Sequence, residues 1–521
     1  MRKAFNTTGL CVSRKHYMVN IEEKLIYIKG LVDAETYFTI NRGRQYGKTT
    51  TLSQLRKYLI PEYIVIPLSF EAFGDTSFAS EKIFCQKFLE NISLLMSLTY
   101  PKENYAKEWE DQSVADFDLL SRHITAICRD KKIVLMIDEV DKASSYRVFL
   151  GFLNMLRKKF LAREDELDFT FHSVILAGVY DIKNIKLKMI SEGAHAVIEG
   201  EKEQNSPWNI ATTFEVDMAF SPVEIATMLK DYEQDYQTRM NIDEISEEIF
   251  FYTNGYPVLV SRICWYLDTK INAWTVDGVK ESVRRIVRET DNELFKSLSQ
   301  NLERDENVRN LLYDILILGA RRHFSPDNPT IDLAHRYGYI YNQNDRVQIF
   351  NKIFEMRMTQ YFISKDEEKV GVMSNGGLIN EITRNDQFNM QLCLERFAVH
   401  WQELYNEKDG RFMEKQCRMI FLTYLIPILN GRGFYFIESA LTDNRRMDLV
   451  VTYGKERFVL ELKTWKGLLY NEKGVEQLLG YMNKLGEEKG YLLTFDFRKN
   501  PELIEPQWRN EGERSVFEVR V

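Results

Sequence analysis

The 521-residue sequence is 44% apolar, 28% charged and 13% aromatic with only 11 prolines, which excludes an extensively disordered chain and reads as two to four globular domains. A net charge of −8 excludes a globally basic nucleic-acid binder. The acidity is uneven: Arg411 to Val521 holds 18 Lys/Arg against 16 Asp/Glu, a balance of +2, which leaves −10 for the rest and confines any nucleic-acid surface to a local patch.

From residue 30 to 180, four β-rich runs, "TYFTI", "YIVIPLSF", "KIVLMID" and "FHSVILAG", are separated mostly by helical patterns. Strands alternating with helices predict a parallel α/β sheet. From Ser221 the pattern turns helical, with Ser221 as N-cap and Pro222 at the first helical position of "SPVEIATMLKDYEQDY". Residues 302–365 read as a small helical module and a hairpin, "YGYIYNQNDRVQIF", with its turn at Asn342 to Asp345, a winged-helix pattern. A connector, "SKDEEKVGVMSNGG", leads to a second α/β unit. The expected domains are 1–220 (P-loop α/β), 221–301 (helical lid or sensor), 302–390 (winged-helix-like region and connector) and 391–521 (a second α/β domain).

The six cysteines and seven histidines show no metal-ligand or redox-motif spacing, so free thiols in a reducing compartment are expected. The N-terminal stretch lacks the apolar core of a signal peptide, and "IFLTYLIPIL" falls short of a membrane span. A cytosolic protein with no membrane partner is the expectation.

"TYFTINRGRQYGKTTTL" joins a strand to an amphipathic helix through a basic, glycine-containing loop. Backbone N–H groups at such a helix start bind phosphate, a lysine (Lys48) reaches the terminal phosphates, and a hydroxyl (Thr49) ligates Mg²⁺. Gly43, Gly47 and Thr50 complete the candidate ATP loop. The usual first glycine would stand at Arg42, and Gly43 is one place late. Some ninety residues on, "KKIVLMIDEVDK" ends an apolar strand in Asp138, a carboxylate for the Mg²⁺ shell, and Glu139, a carboxylate to polarise the attacking water.

These motifs, with "FNTTG…HYMVN", "ILAGVYDIKNIK", "NSPWNIATTFEVDMAFSP" and "NGYPVLVSRIC", resemble the AAA-like ATPases of bacterial proteins that carry a C-terminal PD-(D/E)xK nuclease-like domain, within the broader STAND and archaeal-ATPase group. The resemblance spans nearly the whole chain and shares the displaced glycine. It implies that Gly255-Tyr256-Pro257 is a G-x-P motif whose Pro257 contacts nucleotide, and that His16 to Asn20 flank the adenine. From the residues alone, Pro257 is equally a plain helix start.

The second site lies in "RRMDLVVTYGKERFVLELK". A two-residue loop at Gly454-Lys455 would pair Tyr453 with Glu456 and set Asp448 opposite Glu461, with Lys463 two residues on along the same face. Two facing carboxylates call for a cation, and a hard divalent ion such as Mg²⁺ meets that need. Lys463 would orient or deprotonate the attacking water. The D-x12-E-x-K spacing is the PD-(D/E)xK signature. Gln477 and Tyr481, four apart in "NEKGVEQLLGYMNKL", resemble the Q-x3-Y element of RecB-like members. Glu414 and Glu438 are further candidate carboxylates.

The sequence therefore reads as an ATP-binding protein whose nucleotide state controls a Mg²⁺-dependent nuclease. DNA is the expected partner ahead of RNA, homo-oligomerisation is a candidate means of control, and a defence or mobile-element role suits the two-part design. The rival reading is a nucleotide-switched scaffold whose nuclease-like domain binds nucleic acid or protein without cutting.

Overall fold

The computed structural model describes residues 2–41, 43–143, 147–178, 210–212, 217–317, 320–370, 382–384, 387–404, 417–429, 433–436, 449–454, 456–498 and 504–521. The chain divides into two units. The first comprises 1–250, 254–279 and 336–338, the second 251–253, 280–335 and 339–521.

The first unit is built on β1 (Tyr37–Asn41), β2 (Ile64–Ser69), β3 (Ile133–Asp138) and β4 (Ser173–Gly178), the four runs expected. They form a parallel sheet in the order β1-β4-β3-β2. Every residue of β3 and β4 is buried, which is why those runs show continuous rather than alternating hydrophobicity. Helices Glu81–Thr99, Phe117–Cys128 and Arg147–Glu164 pack on the sheet through an aromatic layer in which Phe152 meets Phe84 and Phe88 at centroid distances of 5.2 and 5.1 Å. Farther on, the helix Pro222–Tyr236 starts as expected, with a capping box between Ser221 and Glu224 and Pro222 in the first turn.

Among the described residues of this unit, Lys159 is buried away from the candidate sites. Lys159 is 1% exposed, and its ammonium donates to Asp168 at 2.6 Å and Thr125 at 2.7 Å. Removing one partner of such a pair strands the other charge. Asp168→Ala is expected to cost about 3 kcal/mol in urea unfolding, whereas converting Lys159 and Asp168 together to apolar residues should recover most of that loss.

The second unit opens with helices Glu293–Arg304 and Glu306–Leu316 and the hairpin β5 (Ile340–Gln343) and β6 (Arg346–Ile349). Its loop is Asn344-Asp345, so the turn sits one residue later than expected. Both loop residues take positive φ, 51° and 59°, and Asn and Asp tolerate that conformation better than Gln343 would. The next expectation also needs correction: residues 364–370 of the expected connector continue the helix Lys352–Val370, and 371–377 lie outside the described residues. Two short strands, β7 (Thr383–Arg384) and β8 (Gln387–Phe388), follow.

The C-terminal sheet consists of β9 (Gly433–Phe436), β10 (Leu449–Tyr453), β11 (Glu456–Thr464), β12 (Lys489–Phe495), β13 (Gln507–Glu511) and β14 (Arg514–Arg520). Its order is β13-β14-β12-β11-β10-β9. The β11/β12 and β12/β14 pairs are parallel and the others antiparallel. One face carries Leu460, Leu493, Phe495, Phe517 and Val519 into a core with helices Met390–Leu404 and Cys417–Leu429. On the other face, Gly474 of the helix Leu468–Leu485 approaches Lys463 and Leu492, and Leu478 and Met482 pack over Gly490. Thus β11 is an interior strand, and the charges on it are not those of a solvated edge.

Candidate nucleotide and nuclease sites

The phosphate-loop residues lie between β1 and the helix Lys48–Leu59. Gly47, the residue before that helix, has φ +81°, a conformation glycine adopts without strain. Lys48 Nζ donates to the Gly43 carbonyl at 2.9 Å, and Thr49 Oγ1 donates to Asp138 Oδ2 at 2.6 Å. The structure thus brings together loop and strand-end residues 89 positions apart in sequence. Thr50 Oγ1 accepts from the Cys11 N–H at 3.3 Å. At the exit of β3, Glu139 takes a left-handed backbone (φ +57°), and its N–H donates to Asp138 Oδ1 at 2.9 Å.

Burial pushes the Lys48 ammonium below its usual range, against the pull of Asp141, Glu139 and Asp138. Burial and the neighbouring Asp138 and Asp141 raise the Glu139 carboxyl. A lysine and several carboxylates are thus crowded and partly desolvated together, which is the cause of both shifts.

Pro257 lies against this loop. A Cβ on Gly47 would stand 3.8 Å from the Pro257 ring, and the Tyr256 hydroxyl donates to the Arg44 carbonyl at 2.5 Å. Tyr256 also meets Tyr46 edge-on at 4.8 Å. The turn that aims them needs its glycine: Gly255 has φ +70°, and a Cβ there would overlap the Phe220 backbone. Tyr256→Phe removes one hydrogen bond and keeps the ring, so nucleotide affinity should fall about fivefold, measured with a fluorescent ATP analogue.

In the C-terminal sheet, β10 and β11 pair Tyr453 with Glu456 through to Leu449 with Leu460, the register expected, and Gly454 takes φ +59° in the loop. Asp448 and Glu414 lie outside the described residues, as do Glu438 and Arg42. Glu461 is fully buried, and its carboxylate meets Lys463 Nζ at 2.7 Å. Lys463 Nζ donates to Gln477 Oε1 at 2.8 Å and lies 5.7 Å from the Tyr470 ring centroid. Tyr481 is buried on the same helix. The strand and the helix packed on it therefore set a carboxylate, an ammonium and an amide in sequence, joined by one ion pair and one hydrogen bond, with the lysine stem packed against Gly474.

Residues 434–505 match the PD-(D/E)XK nuclease superfamily. The matched segment includes Glu461, Lys463, Gln477 and Tyr481, and it follows a unit built on a four-stranded parallel sheet in the same chain. No curated protein matches the sequence. Among solved structures, the chain is similar to the Walker-type ATPase PABY2304 of Pyrococcus abyssi, 11% identical, over 68% of this chain and 99% of that one, with TM-score 0.47. It is similar also to the Aeropyrum pernix ORC2 protein in ADPNP and ADP complexes (11% identity, 69% and 98% covered, TM-score 0.32). A third is A. pernix ORC1 in complex with DNA (10% identity, 67% and 94% covered, TM-score 0.29). Likenesses this distant say nothing of what this chain binds.

Two contacts, one at each candidate site, escaped the sequence reading. Thr494 stands beside Lys463 on β12, and its hydroxyl bonds Asn471 at 3.1 Å. The one visible signal is a lone threonine inside the apolar run "YLLTF". The Tyr256 hydroxyl had no signal at all, because its partner is a backbone carbonyl 212 residues away. Among the described residues no helix is long and apolar enough to cross a membrane, and no cluster of three or more His, Cys, Asp or Glu could hold a metal.

Proposed function

We propose that this chain binds ATP at residues 43–50 and hydrolyses phosphodiester bonds of DNA in its C-terminal domain, under control of the bound nucleotide. The observation that carries the reading is the line Glu461–Lys463–Gln477 in the segment that matches the nuclease superfamily, with Glu461 fully buried in an interior strand and Lys463 and Gln477 half-buried beside it. A fully buried carboxylate is costly, and a cation site is a reason to keep one.

The donor atoms suit a hard divalent cation at both sites. The Thr49 hydroxyl and Asp138 carboxylate, 2.6 Å apart, would hold Mg²⁺ beside the triphosphate, with Glu139 placed to polarise a water. Glu461 would hold it in the C-terminal domain, with Asp448, opposite it by the hairpin count, as the second ligand. Bound there, Mg²⁺ supplies a water of lowered pKa and offsets charge on the scissile phosphate. The Lys463 ammonium would hold and orient that water by donating to it, and Gln477 fixes the lysine head.

The proposed division of labour follows the sequence: an ATPase domain over 1–220, a helical sensor over 221–301, a winged-helix-like region over 302–390 and the nuclease over 391–521. The control step is a change of orientation or of homo-oligomeric state. The protein is proposed to act in the cytosol.

The test incubates the full chain with labelled DNA and RNA, Mg²⁺ or Mn²⁺, with and without ATP, beside Lys48→Ala. Cleavage that depends on metal and changes with ATP is expected. Cleavage indifferent both to ATP and to Lys48→Ala removes the control step. Absence of any cleavage, with ATP-dependent oligomerisation, leaves the scaffold reading instead.

A further inference from the structure

Past Lys463 the chain leaves β11, turns at Gly467 (φ +106°) and enters the helix Leu468–Leu485. That helix presents one stripe to the Lys463 side chain. Gln477 bonds the ammonium, and one turn earlier a Cβ on Gly474 would stand 3.4 Å from the lysine stem. One turn earlier again, the Tyr470 ring centroid is 5.7 Å from the ammonium. The stripe therefore runs outward from the amide to the ring and ends in the first turn of the helix.

That first turn is apolar and uncovered. Leu468 is 73% exposed, Leu469 83% and Tyr470 38%. Among the described residues, no other three large apolar side chains in succession are exposed. A single exposed leucine is ordinary, whereas a run of three costs solubility and is kept where something covers it. A Cβ on Gly467 would meet nothing within 4 Å, so the corner opens to solvent.

The charges around this tip indicate what covers it. Lys466 lies 5.7 Å from the same Tyr470 ring, and Lys473 is exposed in the second turn. Among the described residues neither has a carboxylate partner. Glu472 is held by two N–H groups of Arg509 at 2.8 Å each, and Glu476 lies farther along the helix. An apolar tip flanked by two uncommitted ammoniums suits a partner with a flat apolar centre and anionic edges, which describes stacked bases and their phosphates. A second copy of this chain, tip against tip, would instead set these lysines against their own counterparts, like charge against like.

We propose that Leu468 and Leu469 form a wedge that inserts between neighbouring bases of DNA beside the phosphate held at Lys463, while Lys466 and Lys473 meet the flanking phosphates. This rests on the nuclease reading of the Lys463 site and names its substrate as duplex DNA opened at the point of cutting. An apolar side chain between two base pairs replaces their stacking and kinks the duplex. Tyr470, within 5.7 Å of both the Lys463 and Lys466 ammoniums, sets the distance from the wedge to the reacting group.

2-Aminopurine brightens when it is unstacked, so it reads the wedge without any cutting. Full-length protein carrying Glu461→Gln, which keeps the shape of the site and should not cut, is mixed with duplexes bearing 2-aminopurine at successive positions. Fluorescence should rise about threefold or more at one or two of them, and adding Leu468→Ser with Leu469→Ser should return it to the level of free duplex. With Glu461 restored, the same pair of changes should slow duplex cleavage about tenfold and single-strand cleavage by about twofold or less. Both leucines are exposed, so the melting temperature should hold. No rise at any position, a rise that survives the two changes, or equal losses on duplex and single strand overturn the wedge. A change in the solution mass of the DNA-free protein on making them also overturns it, since the tip is then a contact between copies. The two readings fail separately. Wild-type protein that cuts neither DNA nor RNA refutes the nuclease while leaving the 2-aminopurine signal measurable, and a cutting enzyme that leaves 2-aminopurine dark refutes only the wedge.

Discussion

Lys463→Ala is expected to abolish phosphodiester cleavage, a fall of about a thousandfold or more in single-turnover rate, because it removes the ammonium that lies 2.7 Å from the buried Glu461 carboxylate. The same change has a second effect. Glu461 is fully buried, and taking away an ammonium at 2.7 Å removes a counter-charge from it, so stability should fall by about 3 kcal/mol. Loss of activity in Lys463→Ala alone is therefore ambiguous between chemistry and folding. Lys463→Arg separates them. It keeps the counter-charge and should melt near the wild type. Activity should still drop about a hundredfold, since a planar guanidinium does not fit the compact ammonium's place beside the water. Glu461→Gln keeps the shape, relieves the buried charge and should also be inactive. Full cleavage by Lys463→Arg together with Glu461→Gln would falsify the assignment of this site.

Lys48→Ala should weaken ATP binding about a hundredfold. The ammonium is held among Asp138, Glu139 and Asp141 and bonded to the Gly43 carbonyl, where a triphosphate's terminal oxygens would replace that carbonyl as its partner. Two charge-assisted hydrogen bonds at about 1.5 kcal/mol each account for the factor. Thr49→Ala is expected to act differently. It removes one oxygen of the Thr49–Asp138 pair, so the loss should appear only when Mg²⁺ is present. Titrating a fluorescent ATP analogue with and without Mg²⁺ reads both effects. Equal affinity in Lys48→Ala and wild type would mean that nucleotide, if bound, lies elsewhere.

The parts legible in the sequence share a property: their partners are close along the chain. The hairpin register of β10 and β11 followed from one two-residue loop, since a tight turn leaves only one way to pair the flanking residues. The start of the helix Pro222–Tyr236 followed from the adjacent Ser221 and Pro222, to which the structure adds the Glu224 half of a capping box. Gln477 was placed near Lys463 by resemblance rather than by spacing, and the hydrogen bond at 2.8 Å gives that proximity a geometry. The hairpin at β5 and β6 was found but centred one residue early, because the choice between Gln343-Asn344 and Asn344-Asp345 depends on which residues bear positive φ.

What the sequence by itself determined is the pair of strand-ended motifs, Gly47-Lys48-Thr49 with Asp138-Glu139, and Glu461-x-Lys463 with its hairpin. Each is written in residues a few positions apart whose spacing follows from strand and helix periods. The tertiary structure alone decided which remote groups surround them. Thr494 and Arg520 reach the Lys463 row through parallel strands joined by crossovers, and no turn fixes the register of a parallel pair. Tyr256 reaches the phosphate loop through a backbone carbonyl, which any residue at position 44 would present. Local patterns name the chemistry; only packing of distant segments, driven by burial, sets what that chemistry faces.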